Sequence, residues 1–170
     1  MIVLMAGLPG TGKTTLAREL ARRTAGRVLS KDEFRHSIFA SAEIEYSSRQ
    51  DDFVLQLMLH TAEFLLQRNP TLNVFLDGRP FSRLYQIENA IAAAESMHQP
   101  WRIIECICSD ELARRRLEHD DAKSTHPAWN RDYQLYQAVK ERFESIFFPK
   151  TEIDTGHDLD DCVREAMKVL

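Results

Sequence analysis

The stretch Gly7-Leu8-Pro9-Gly10-Thr11-Gly12-Lys13-Thr14, followed by Thr15, fits the pattern G-x-x-x-x-G-K-[ST], the Walker A loop. Glycines let backbone N–H groups turn inward and come close to a phosphate. A helix that starts where the loop ends offers its positive N-terminus to the same anion. Lys13 can then reach the β- and γ-phosphates, and the Thr14 hydroxyl can help hold Mg²⁺. With this composition the pattern arises by chance on the order of once in a thousand sequences, so a plain glycine turn explains it poorly. Residues 7–15 are therefore read as a site for a nucleoside triphosphate.

Two aspartates follow apolar runs. Asp77 closes Asn73-Val74-Phe75-Leu76. An acid there takes the Walker B position and holds the Mg²⁺ water shell. Without the phosphate loop it would read as an ordinary Asp-Gly turn. Asp32 follows Arg27-Val28-Leu29-Ser30, and two readings stand. Its carboxylate could take the proton of an attacking hydroxyl, or Ser30 or Asp32 could simply cap the next helix. Arg35, one turn later, is spaced to lie near Asp32 and could orient an acceptor or a phosphate attached to it.

Other arginines are candidates. Arg114-Arg115-Arg116 occupies a stretch read as a short helix. Successive helical residues are about 100° apart, so only one or two of the three can face a nucleotide. Arg116 is the first candidate and Arg131, across the following loop, the second. The competing reading is a solvated face balanced by Asp110, Glu111, Glu118, Asp120 and Asp121. Arg79 and Arg83, just after Asp77, either line an acceptor cleft or make surface salt bridges. His36, His119 and His126 are scattered and read as packing or surface residues.

These side chains need a scaffold, and apolar bursts alternate with amphipathic stretches to supply one. Ile2–Met5, Arg27–Ser30, Asn73–Leu76, Trp101–Cys108 and Thr151–Asp154 read as strands. Helices are expected over Thr14–Thr24, Asp51–Arg68, Ser82–Met97 and Asp110–His119. Two more follow Leu135, Val139, Phe143 and Ile146 up to Pro149, and Leu159, Val163, Ala166 and Leu170. In Asp51–Arg68 the face carries Phe53, Leu57, Met58, Phe64 and Leu65. Phe53, Phe64 and Phe143 are expected in the core, and Asp120–Asn130 reads as loop. Strand and helix alternating in this way predict a parallel sheet covered on both faces, one α/β domain over 1–170. Ligands bind such sheets beyond the carboxyl ends of the strands, where the candidate residues lie.

The chain resembles the small P-loop kinases, a group that includes polynucleotide 5′-hydroxyl kinase, gluconate kinase, chloramphenicol phosphotransferase and the zeta-toxin kinases. The resemblance rests on Gly7 to Thr15, on Ser30-Lys31-Asp32-Glu33-Phe34-Arg35 and on Val74-Phe75-Leu76-Asp77-Gly78. It continues through Arg114–Leu117 and Arg142-Phe143-Glu144. It implies a three-layer P-loop NTPase fold whose five-stranded parallel sheet is ordered 2-3-1-4-5, with a helical lid at about 110–131. It implies ATP as donor with Mg²⁺, Asp32 as general base, Arg35 on the acceptor and a lid arginine closing over the phosphates. The chain departs from polynucleotide kinase in lacking a second lid arginine four residues after the first. Those positions are Glu118, His119 and Asp120.

Composition agrees with a globular domain: 170 residues, 44% apolar, 28% charged and a net charge of −4. That charge is not the global signature of a nucleic-acid binder. No apolar run reaches the roughly 18–20 residues that span a bilayer, and no leader pattern precedes Ile2, so the expected location is the cytoplasm. Cys106, Cys108 and Cys162 read as reduced thiols. The expected activity is transfer of the γ-phosphoryl of ATP to a hydroxyl on a small molecule. A polynucleotide 5′-hydroxyl acceptor and a P-loop ATP hydrolase or nucleotide switch are the alternatives. A GTPase would need N-K-x-D to read guanine, and the chain has none.

Overall fold

The structure is a computed structural model describing residues 1–123 and 132–170. Strands β1 (Ile2–Ala6), β2 (Arg27–Ser30), β3 (Val74–Asp77), β4 (Trp101–Ile107) and β5 (Thr151–Asp154) alternate with helices. The helices are α1 (Lys13–Thr24), α2 (Lys31–Ile38), α3 (Ser48–Arg68), α4 (Leu84–Ser96), α5 (Asp110–Lys123), α6 (Tyr133–Glu141) and α7 (Leu159–Ala166). The five strands form one sheet in the order β2-β3-β1-β4-β5, every pair parallel, as the resemblance implied.

β1 is buried throughout because it lies mid-sheet with helices on both faces. Its side chains alternate between two cores, as the pleat requires. Ile2, Leu4 and Ala6 join Leu76 and Ile103 against α3 and α4. Val3 and Met5 join Phe75 and Ile104 against α1 and α7. A small third core, Ala113, Leu117 and Tyr136, packs α5 and α6 onto Leu8 of the phosphate loop. Register sets the strand ends side by side: Ser30 pairs with Asp77, and Ala6 with Glu105.

Several elements differ from the sequence expectation. Helix α3 starts at Ser48, where the Ser47 hydroxyl accepts from Gln50 N at 3.1 Å. It buries Val54, Leu55, Met58, Leu59, Ala62 and Leu66, while Phe53 and Phe64 are 51% and 58% exposed. The helix is apolar on two adjoining faces, and the sheet accepts the one with the smaller side chains. Phe53 instead tilts against Phe39, and Phe64 lies under the Arg68 guanidinium. Helix α5 runs on to Lys123, since Asp120-Asp121-Ala122-Lys123 contains no breaker.

The helix expected up to Pro149 stops at Glu141. Tertiary hydrogen bonds take over there. Glu144 N donates to Ser82 O at 2.9 Å, and the Glu144 carboxylate accepts from Leu84 N at 2.7 Å, capping α4. Phe143 still packs on the core from this irregular segment. Cys106 and Cys162 are buried, and Cys108 lies half-buried just beyond β4. Among the described residues no helix is long and apolar enough to cross a membrane, and no three of His, Cys, Asp and Glu gather into a metal-binding group.

Candidate active site

The phosphate loop follows β1 and is fastened on three sides. Gly7 N donates to Pro80 O at 3.1 Å, tying the loop to the chain leaving β3. Gly7 has φ +125°, and a Cβ there would sit 2.2 Å from the Cys106 carbonyl, so no larger residue fits. Gly10, at φ +77°, admits the Ala113 carbonyl of α5, which a Cβ would meet at 2.8 Å. Thr155, just past β5, donates its hydroxyl to Thr11 O at 2.9 Å. Lys13 Nζ curls back over the loop, donating to Gly7 O at 2.8 Å and Leu8 O at 2.6 Å. Those carbonyls hold the ammonium at the mouth of the loop.

Of the arginine triplet, one member turns to the loop. Arg116 donates to Thr155 Oγ1 at 3.0 Å, Thr155 O at 2.7 Å and Gly10 O at 3.4 Å. Arg114 instead pairs with Glu118 at the surface, and Arg115 is exposed. Arg131 lies outside the described residues, as does His126. Arg116 borders a cleft of about 680 Å³ whose walls include Gly12, Lys13, Thr14, Thr15, His157 and Leu159.

A second cleft, of about 310 Å³, opens on the other side of Lys13 and Thr14. Ser30 caps α2, its hydroxyl accepting from Glu33 N at 3.4 Å, so the cap does not occupy the Asp32 carboxylate. Asp32, 7% exposed, lines the cleft and accepts from Arg35 Nη1 at 3.0 Å. Arg35 is wholly buried, donates also to Asp51, and lies over the Tyr46 ring at 4.8 Å. Asp51 Oδ2 accepts from Lys31 Nζ at 2.9 Å. Burial pushes the Lys31 amine below its ordinary range, against the pull of Asp51 and Asp32.

Arg79 and Arg83 both line this cleft, and both are also ion-paired, Arg79 from a buried position. Arg79 Nη2 donates to Asp52 at 2.6 Å and Arg83 Nη1 to Glu144 at 2.8 Å. Asp77 is buried at the end of β3, and its Oδ1 has no hydrogen-bond partner among the described residues. A buried carboxylate oxygen left in that state is costly unless a cation or donor completes it. Asp77 and the Thr14 hydroxyl therefore suit a hard, oxygen-seeking cation such as Mg²⁺.

Sequence reasoning missed Tyr46, Asp51, Asp52, Gln86 and Arg142 as site residues. Asp51 and Asp52 lie in the first turns of a helix, where acids are expected for the helix dipole alone, which hides their second use. Tyr46 reaches Arg35 only through the path of residues 39–47, which carries no pattern.

The AAA domain family (AAA_33) matches residues 2–144. No curated protein matches in sequence. Among solved structures, a Chloroflexus aurantiacus protein proposed to be a kinase is similar at 22% identity and a TM-score of 0.77, over 99% of this chain and 97% of that one. The Mycobacterium tuberculosis APS kinase CysC, in complex with AMPPNP and APS, matches at 16% identity and 0.73, over 99% and 95%. A gluconokinase from Sinorhizobium meliloti 1021 matches at 16% and 0.66, over 98% and 89%. At these identities the likeness is one of fold, the fold of the small P-loop kinases.

Proposed function

The chain belongs to the AAA domain family, and we propose that it is a phosphotransferase moving the γ-phosphoryl of ATP to a hydroxyl of a small molecule. One observation carries the reading: two clefts meet at the wall formed by Lys13 and Thr14. One is bounded by the phosphate loop and Arg116, the other by Asp32. A triphosphate seated in the first would turn its last phosphate towards the second.

The acceptor oxygen attacks the γ-phosphorus, forming the new O–P bond as the bond to the β-phosphate oxygen breaks and ADP leaves. Asp32 accepts the hydroxyl proton, with Arg35 fixing the carboxylate from the buried side. Lys13 leaves its two loop carbonyls for the β- and γ-phosphates. Arg116 adds a cation on the nucleotide side, where transfer gains most from charge stabilisation. Mg²⁺ held by Thr14 and Asp77 would supply neutralisation of the phosphate oxygens. The acceptor cleft is at the small end of ligand sites, which favours a compact molecule over a polymer end.

The test is incubation with Mg²⁺ and γ-labelled ATP in a pool of sugars, sugar acids, nucleosides, hydroxylated antibiotics and 5′-hydroxyl oligonucleotides. Label on a metabolite is expected. Label on the oligonucleotides would replace the small-molecule acceptor with a polynucleotide, and label only in free phosphate would point to a hydrolase.

A further inference from the structure

Resting on the acceptor reading of the smaller cleft, we propose that the acceptor is a small hydroxy compound bearing an anionic group, carboxylate or phosphate, and that Arg79 binds that group.

Arg79 is 2% exposed and lines the cleft, yet among the described residues only one of its three guanidinium nitrogens has a partner, Nη2 on Asp52. Nε and Nη1 are buried with no acceptor among the described residues. A buried donor left unmade is expensive, and more so on a charged group, so the site is short of acceptor oxygens. An incoming carboxylate or phosphate brings two or more oxygens in a form that guanidinium binds well.

The charge of the walls agrees. Setting aside Lys13, which serves the triphosphate, five basic side chains line the cleft: Lys31, Arg35, Arg79, Arg83 and Arg142. Asp32 and Asp51 oppose them in the lining, engaged by Arg35 and Lys31, and Asp52 and Glu144 pair with Arg79 and Arg83, so five cations meet four carboxylates. The chain as a whole carries −4, so this local excess of cations runs against the molecule's own sign. Charge concentrated in a recess in this way raises the local concentration of an anionic ligand. A neutral polyol would leave both Arg79 donors and the excess charge without a counterpart.

The test first saturates the protein with AMP-PNP and Mg²⁺, so that the phosphate loop cannot itself bind the probe. Titration calorimetry then compares D-gluconate with D-glucose, and glycerol 3-phosphate with glycerol. The anionic member of at least one pair is expected to bind about tenfold or more tightly than its neutral partner. The pair that shows the preference tells carboxylate from phosphate. Arg79→Gln should erase the preference without changing AMP-PNP affinity, and Arg79→Lys should keep part of it. The wild-type comparison stands even if Arg79→Gln fails to fold.

Equal binding of charged and neutral members, no binding by any of the four, or a preference that survives Arg79→Gln overturns the proposal. The kinase reading fails separately: an anion bound through Arg79 that takes no label from γ-labelled ATP leaves the anion site standing and removes the transfer. Label passing equally to neutral alcohols does the reverse.

Discussion

The proton acceptor is the residue on which the proposed chemistry turns. Asp32→Asn keeps the shape of the side chain and its reach to Arg35 but cannot take a proton. Turnover with the identified acceptor should fall about 10²–10⁴-fold, the usual worth of a general base, while AMP-PNP binding stays unchanged. Retained turnover would reduce Asp32 to a positioning group. The thiols offer a second check at this scale. Burial pushes the Cys106 thiol up to about 12, and Cys162 is also buried and raised. Cys108 is raised too, yet it is only half-buried beyond its strand. Because the thiolate is the reactive form and must also be reached, iodoacetamide at pH 8 should modify Cys108 first. Peptide mass spectrometry showing Cys106 labelled first would contradict the buried β4. The phosphate loop, Asp77 and the Asp32–Arg35 pair were legible in the sequence because their chemistry is written in short, local spacings. Asp51 and Tyr46 were not, because what brings them to Arg35 is the course of the chain between α2 and α3.

Among the elements, the strands were the easiest to read. A parallel strand covered on both faces must be apolar nearly throughout, and Ile2–Ala6 and Val74–Leu76 are. Helix α3 was harder, because its apolar residues satisfy two adjoining faces and only the sheet decides between them. The start of α4, read from the sequence as Ser82, falls two residues later at Leu84, because its cap is a carboxylate 60 residues away in sequence. That cap gives a pH test. The Leu84 N–H, and then the Arg83 guanidinium, hold the Glu144 carboxyl below its ordinary 4.5. A carboxylate with a depressed folded-state pKa stabilises fully above 4.5, and the benefit is lost as pH falls from there through the folded value. Glu144→Gln should therefore lower the melting temperature at pH 7, and the gap to wild type should close as pH drops below about 4.5. A gap independent of pH would mean that the carboxylate charge contributes nothing to the cap.

For the whole molecule, the phosphate loop is held by α5, the chain after β3 and Thr155, so nucleotide binding engages both sides of the sheet. A ligand that binds only the folded state stabilises it by about 2.7 kcal/mol at one hundred times its dissociation constant. AMP-PNP with Mg²⁺ should accordingly raise the melting temperature. Asp77→Asn should remove most of the Mg²⁺-dependent part of that rise and leave the Mg²⁺-independent part. A metal contribution untouched by the substitution would take Asp77 out of the cation site. The fold was readable at this scale because strand order and loop motif travel together. The smaller cleft was legible only at Asp32, Arg35, Arg79 and Arg83, since five separate segments converge on it.

The shared wall at Lys13 and Thr14 has a stereochemical consequence. On the proposed reading, two reactants lodged on opposite sides of one lysine need no carrier between them, and the phosphoryl group would change hands once. A single in-line displacement turns the three remaining oxygens inside out, as an umbrella turns in wind. Phosphorus made chiral with oxygen isotopes would emerge with its handedness inverted, whereas a relay through an enzyme-bound phosphate, being two such turns, would restore it.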